Sequence, residues 1–531
     1  MTLTLVGGLL TLHHPKVGCS AGLYRELVST TDQPRVLATT KQWFALGVLM
    51  LPTLLVSIDN TVLSFALPSI ARDLRPSAVA QLWIVDVYPL VLAALLVGMG
   101  NLGDRFGRRR MLLIGASGFG IVSVLAAFAP DATSLIIARV FLGVFGAMLM
   151  PSTLSLLRSL FGDRRQRRLA IAIWAAGFSA GSAIGPLVGG VLLEHFWWGS
   201  VFLVAVPFLL PLLIFAPLLI AESKDPAPGP FDFGSIVLSI FTLGPAVYAI
   251  KVIATEGIGV LPIVLLIVAA LAGVYFVRRL LAQPNPMLDM NLFRVPSFSG
   301  AVLVNLVSVF SLLGLLFFLT QHLQLVVGLS PFDAAVALTP GIVVIILAGL
   351  GVVPLVRYVR PGYLMAGGLF LSLLAYASIA LIGSDATVLS YIVAFCVLGA
   401  GIGSAETLSN DLIISSVPPD KAGAASGVSE TAYELGAVLG TAVLGSILTA
   451  SYRSSIVIPD GLTEADATAA RETLGGAVEV ASTLPNGLGG QLLDTARHAF
   501  DTGVVTTSWV AVGLMAVAIT ITLVTLRSVR S

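Results

Sequence analysis

The chain has 531 residues, of which 57% are hydrophobic and only 11% charged, with a net charge of +1. So little polar material does not cover several water-soluble domains, and the composition predicts an all-α polytopic membrane protein. The lack of a basic excess argues against a nucleic-acid partner, and two cysteines, Cys19 and Cys396, imply no disulfide framework.

Residues 1–42 have no basic region before TLTLVGGLLTL and no small-residue cleavage site after it, so they are read as a cytoplasmic tail. Apolar runs long enough to cross about 30 Å of hydrocarbon as helices then follow near 43–68, 80–99, 112–129, 134–157, 169–193 and 200–221. Two more lie at 233–251 and 259–277. A further six, at 297–322, 333–355, 363–383, 388–415, 421–448 and 503–526, bring the expected number to fourteen. With the N-terminus inside, 22 of the 29 Lys and Arg fall on the inner side and six, Lys251 among them, on the outer side, leaving only Arg139 within a helix. That bias predicts a multi-pass membrane protein with both termini cytoplasmic. The large outer loop, 451–501, carries a helix-capping pattern at Thr463 to Asp466 and reads equally as a small lid or a plain connection.

The chain repeats itself at long range. Gly181, Gly185 and Gly190 recur as Gly436, Gly440 and Gly445, Arg105 and Arg108 as Arg357 and Arg360, and GVFGAMLMPSTLSLL at 143 aligns with GAGIGSAETLSNDLI at 399. Offsets of 252 to 256 span eight helices where a plain duplication needs six. The expected organisation is therefore a six-helix bundle at 43–222, an inserted pair at 223–284 and a second bundle within 285–531, two halves that rock about a central site.

Five stretches carry a more specific resemblance. GNLGDRFGRRR at 100–110 is similar to the loop signature of the major facilitator superfamily, and GFSAGSAIGPLVGG at 177–190 resembles the fifth-helix motif of its exporters. SIDNTVLSFALPSIA, WIVDVYPLVLA and SETAYELGAVLG resemble its fourteen-helix drug:proton antiporter branch, of the QacA and LfrA type. The resemblance implies that Gly103, Asp104, Arg105, Gly107 and Arg108 form a conformational loop in which Asp104 latches the cytoplasmic ends of the two halves. It also implies that Gly181, Gly185, Pro186 and Gly189 set the direction of transport as export. Two positions depart from the QacA pattern: TPGIVVII in the tenth helix carries no acid, and Ser429 stands where the first of two paired acids is expected.

Six acids fall at membrane depth, Asp59, Asp86, Glu406, Asp411, Glu430 and Glu434, against one base, Arg139. A carboxylate at the centre of such a helix costs on the order of 2.5 to 3.5 kcal/mol, so these residues are functional candidates. Asp59, Asp86 and Arg139 lie at similar depth and are expected to cluster, whereas Asp411 sits near the inner end of its helix. Glu430 and Glu434 are one helical turn apart on a stripe continued by Gly427, Ala437 and Thr441, and Glu406 shares a face with Gly399, Gly403 and Asn410. Burial favours the neutral form of a carboxyl group, and neighbouring carboxylates reinforce it, so several of these acids are expected to exchange protons near neutral pH.

Protons and organic cations would neutralise the same carboxylates, and that competition is antiport. Asp59, Glu430 and Arg139 are assigned to proton coupling; Asp86, Glu406, Glu434, Trp174, Tyr433 and Phe178 to cargo binding, with Trp83, Tyr88, Phe310 and Phe317 as further aromatic candidates. The expected activity is proton-coupled efflux of lipophilic, often cationic drugs and dyes by a monomer in the lipid bilayer. Neither metal nor cofactor is expected, the proton gradient being the driving force. Export of an endogenous lipid or metabolite is the alternative. A membrane enzyme or sensor finds no support in an HExxH, a Gly-rich phosphate loop or a signalling domain.

Overall fold

The computed structural model describes residues 5–6, 9–10, 38–224, 232–283, 286, 288–383, 387–417 and 422–527. Most of the expected N-terminal tail lies outside these. Thirteen of the described helices are long and apolar enough to cross a membrane, and the 32-residue helix Arg164–His195 stands between the fourth and fifth of them, where the fifth crossing is expected.

In chain order the helices are α1 (Thr40–Leu74), α2 (Ala78–Phe106), α3 (Arg108–Ala127), α4 (Ala132–Leu160), α5 (Arg164–His195) and α6 (Ser200–Leu219, broken at Val204). Next come α7 (Phe233–Glu256), α8 (Val260–Ala282), α9 (Pro296–Val326), α10 (Pro331–Leu355), α11 (Pro361–Ile382) and α12 (Val388–Ser415). The chain ends with α13 (Ala422–Gly440, a π-helical turn Thr441–Gly445, then Ser446–Ser455), α14 (Glu464–Glu472), α15 (Leu474–Thr483) and the 41-residue α16 (Asn486–Leu526). Each membrane helix is apolar on most of its surface, because lipid on one side and neighbouring helices on the other both exclude polar groups.

Packing repeats at an interval of eight helices. Helix α1 lies on α5 as α9 lies on α13; α2 and α3 flank α4 as α10 and α11 flank α12; and α6 closes α1 and α3 as α16 closes α9 and α11. The two halves meet along two seams, α5 against α10 and α13 against α2, related in the same way. Glycines make the close approaches. A Cβ at Gly181 would come within 2.8 Å of the Leu54 carbonyl oxygen on α1, and Gly436 and Gly440 abut the Leu306 and Phe310 carbonyls on α9 in the same manner. At the seams, Gly190 leaves only 2.9 Å to the Cα of Phe332, and Gly445 leaves 2.8 Å to Leu82.

The inserted helices α7 and α8 pair with one another and are tied at their base. Asp232 caps α7 through the Ser235 amide and receives Arg279 of α8 at 2.8 Å and Gln283 at 2.5 Å. Burial works against the charge there, yet these bonds from Arg279, Ser235 and Gln283 hold the Asp232 carboxyl well below the usual carboxylate range. Helix α7 also packs on α2 and on the Thr441–Ser455 part of α13, so it lies along one seam.

The 451–501 segment is largely helical. Thr463 caps α14 by accepting from the Asp466 amide at 3.2 Å, and α16 begins within the segment, well before the expected span at 503. The α14 and α15 helices rest on the α1–α2 turn: Arg75 pairs with Glu479 at 2.9 Å, and Glu472 accepts from the Ala78 amide at 3.0 Å.

Candidate functional site

Between the halves lies a cleft holding about 650 Å³ of empty space, partly open to solvent. Thr61 of α1 and Phe178, Ser182 and Pro186 of α5 supply one wall; Leu312 and Leu316 of α9, Leu338, Ile342, Ile345 and Ile346 of α10, Phe395 and Glu406 of α12 and Tyr433 of α13 supply the other. The lining is apolar with one carboxylate, a surface suited to a greasy molecule carrying positive charge. Phe178 and Tyr433 meet edge to face across the two halves, their ring centroids 5.1 Å apart.

Among the seven aromatic candidates, those two line the cleft. Trp174 instead donates from Nε1 to Thr153 Oγ1 on α4 at 3.3 Å, Tyr88 is buried beneath Arg139, Phe310 and Phe317 pack under the α13 glycines, and Trp83 faces α7.

The acids separate into three environments. Glu406 projects into the cleft wall, while Glu434, fully buried one turn above Glu430, accepts through Oε1 from Asn60 Nδ2 on α1 at 3.1 Å, a bond that joins the halves. Among the described residues, Glu430 Oε1 and Glu434 Oε2 have no hydrogen-bond partner. Asp59 forms a 2.6 Å ion pair with Arg139, whose guanidinium is 1% exposed, donates to the Ile84 carbonyl at 3.1 Å and to the Val85 carbonyl at 3.4 Å, and lies 4.5 Å from the Tyr88 ring centroid.

Asp86 corrects the sequence reading twice. Its carboxylate is paired at 2.8 Å with Lys251, and the two side chains are 1% and 0% exposed, so Arg139 is not the only base at depth. The Lys251 ammonium also sits 3.9 Å from the Trp83 ring centroid. The apolar run stops at Lys251, which on hydropathy alone predicts a lysine at the outer surface; α7 instead continues to Glu256, which carries the lysine inside. The expected cluster of Asp59, Asp86 and Arg139 is therefore two adjacent ion pairs. A signal was present: Leu243, Val247 and Lys251 are spaced at four residues, so the lysine lies on the same face as two apolar residues that pack inward.

Ser429, at the position of the missing acid, receives Asn305 Nδ2 at 2.8 Å and donates to Asn410 Oδ1, tying α9, α12 and α13 together with neutral groups. Asp411 is exposed.

The 103–110 loop turns on Gly107, whose φ of +118° is open to glycine. Glu222 receives the Arg109 and Arg110 amides at 3.0 and 3.2 Å and so caps α3, while Arg108 bonds the Ser223 hydroxyl at 3.1 Å. Asp104 pairs with Arg108 at 2.8 Å, inside its own loop, so in this state it does not span the two halves as the resemblance implies. Among the described residues, bridges between the halves occur at the opposite end: Gln324 Nε2 donates to the Phe65 carbonyl at 3.1 Å, Ser330 to Glu194 at 3.4 Å, and α14 and α15 hold the α1–α2 turn. The halves are joined at that end.

Residues 49–441 match the family model described as Major Facilitator Superfamily. The chain is 56% identical to the multidrug efflux pump LfrA of Mycolicibacterium smegmatis, covering 92% of this chain and 96% of that protein. It is 37% identical to the methyl viologen resistance protein SmvA of Salmonella typhimurium, over 87% of this chain and 93% of the other. Its fold resembles a bacterial homologue of the human lysosomal transporter Spinster, with a TM-score of 0.64 at 18% identity, covering 93% of this chain and 99% of that one.

Proposed function

The chain belongs to the Major Facilitator Superfamily, and from that premise we propose that it is a multidrug efflux transporter exchanging protons for lipophilic, often cationic compounds by alternating access. The observation that carries this reading is the cleft itself: an apolar and aromatic chamber built from both halves, with Glu406 in its wall and Glu430 and the buried Glu434 on the same helix as Tyr433. A carboxylate in such surroundings is neutralised either by a proton or by a cation, and a cleft shared by two rocking halves is exposed to one side at a time. The names of the relatives, an efflux pump and a methyl viologen resistance protein, support the same cargo class.

In this reading the chain lies in the bacterial inner membrane with both termini cytoplasmic, as the excess of Lys and Arg predicts, and the end of the molecule where Gln324, Ser330, α14 and α15 join the halves is the outer one. Glu430 and the Asp59–Arg139 pair couple to protons, Glu434 reports cleft occupancy to α1 through Asn60, and Glu406, Phe178 and Tyr433 receive the cargo. Trp174 and Asp86 leave the cargo set because their polar groups are engaged elsewhere. Moving one positive charge outward against 100 mV costs about 2.3 kcal/mol, which one entering proton offsets. One chain encloses the whole cleft, so a monomer suffices, and no cofactor is required.

Ethidium efflux from proteoliposomes, with the pH gradient and the membrane potential imposed separately, tests the proposal. Efflux should follow an inwardly directed proton gradient and stop when it is collapsed; efflux indifferent to both gradients sinks the antiport reading. Export of an endogenous lipid or metabolite remains the second reading, favoured by the apolar share of the lining, and predicts an envelope defect on deletion in the absence of drug.

A further inference from the structure

The Asp86–Lys251 pair is a buried charge device that the cleft does not use. It lies where all three units of the molecule meet: Asp86 belongs to α2 of the first half, Lys251 to the inserted α7, and Thr441 of α13 in the second half adjoins Asp86. The residues around it make a cation cage, with the Asp86 carboxylate at 2.8 Å, the Trp83 ring face at 3.9 Å, and Tyr248 of α7 beside Trp83 with centroids 5.9 Å apart. An aromatic face and a carboxylate are the elements by which an organic cation is held, and here a tethered ammonium fills the place.

The pair is also continuous with the coupling residues. The carbonyls of Ile84 and Val85, immediately before Asp86, receive the Arg139 guanidinium, which pairs with Asp59; the next residue, Asn60, bonds Glu434. The charged groups facing this line are thus Lys251 on α7, Asp86 on α2, Arg139 on α4, Asp59 on α1 and Glu430 and Glu434 on α13. Helix α7 is further held to α2 by Ser239 Oγ donating to the Ala94 carbonyl at 2.9 Å, whereas Val247 of α7 packs with Val438 and Ala442 of α13 in an apolar cluster. Polar bonds thus tie the hairpin to the first half, and the contact of Val247 with the second half is apolar.

We propose that Lys251 is a positioning residue for proton–cargo exchange: the ammonium brought by the inserted helix occupies Asp86 throughout the cycle, so that this carboxylate neither takes up a proton nor receives cargo, and exchange is confined to the acids of the central cleft. The inserted pair of helices is then part of the coupling machinery, and Asp86, which the sequence assigns to cargo, is withheld from it by an internal cation. This inference rests on the proton-antiport reading above.

The test compares wild type, Lys251→Met, Lys251→Arg, Asp86→Asn and the Asp86→Asn, Lys251→Met pair in proteoliposomes, with ethidium as probe and pH-jump-driven flux as readout. Lys251→Met frees a carboxylate, and the pH profile of efflux should move by about one unit or more. Lys251→Arg should keep the wild-type profile, and the neutral pair should recover it. Asp86→Asn leaves a buried ammonium beside Arg139 and should lower ethidium affinity about tenfold.

A Lys251→Met protein with the wild-type pH profile, or a neutral pair that keeps the Lys251→Met profile, overturns the inference. If Lys251→Met does not reach the membrane, Lys251→Gln takes its place as the variant that frees Asp86, and the same contrast with its neutral pair, Asp86→Asn with Lys251→Gln, decides: no shift in the first, or a shift that persists in the second, overturns the role. Wild-type efflux without proton dependence instead sinks the underlying antiport reading.

Discussion

Glu406→Gln isolates the electrostatic contribution of the cleft. The side chain stands in a wall of Leu338, Ile342, Ile345 and Phe395, and glutamine keeps its size while removing its charge. At an effective dielectric constant of about 20, a cation about 4 Å from a carboxylate gains about 4 kcal/mol, and a charged contact retains about 1.5 to 3 kcal/mol once desolvation is included. Its loss should weaken a monovalent cation such as ethidium about ten- to hundredfold. A neutral lipophilic cargo should be affected by less than about twofold, since burial of its apolar surface is unchanged. Thermal stability should not fall, because the substitution removes a charge from apolar surroundings. Binding titrations of the purified protein with a cationic and a neutral fluorescent ligand, followed by vesicle efflux of both, give the comparison. Ethidium affinity within twofold of wild type, or equal losses for both ligands, would refute the assignment of Glu406 as the charge that selects cations.

Three other outcomes follow from the geometry. Glu434→Gln retains an acceptor for Asn60 and should keep the stability of the wild type, whereas Glu434→Ala leaves the buried Asn60 amide without this acceptor and should cost about 1 to 3 kcal/mol, read as a lower melting temperature in detergent. Gly181→Val places a side chain against the Leu54 carbonyl, a backbone atom that cannot turn aside, and should destabilise the α1–α5 contact by at least about 1 to 3 kcal/mol, seen as loss of monodisperse protein. Asp232→Asn should loosen the base of the α7–α8 hairpin at every pH. In the wild type, the depressed Asp232 carboxyl contributes stability fully present above its ordinary value of 3.8 and lost only as pH falls through the lower folded value, so amide-exchange protection of α7 should be flat from about pH 8 to pH 5.

Elements governed by length, hydropathy and small-residue spacing were legible in the chain. The spans follow from apolar runs, and the eight-helix interval follows from Gly181, Gly185 and Gly190 recurring as Gly436, Gly440 and Gly445, because a close backbone approach admits glycine and little else. What the sequence could not carry is pairing between distant segments. Lys251 and Asp86 lie 165 positions apart in the chain, and nothing local to either marks the other. Hydropathy placed Lys251 at a helix end, since a lone lysine is most simply solvated, and only the four-residue stripe through Leu243 and Val247 argues otherwise. Trp174 shows the same limit within a helix: its place on α5 puts it near the cleft, but a rotamer aimed at Thr153 turns it to α4. The acids Glu406, Glu430 and Glu434 were recognisable because an unpaired carboxyl group in an apolar helix is expensive wherever its partners lie.

The two seams between halves each rest on a residue without a side chain, Gly190 against Phe332 and Gly445 against Leu82. A glycine has no rotamer of its own to reset, so at these two points the halves can tilt without a side chain of α5 or α13 having to withdraw. A methyl group at either point would act as a wedge, biasing the transporter toward whichever posture gave it room and slowing turnover without altering the chemistry inside the chamber.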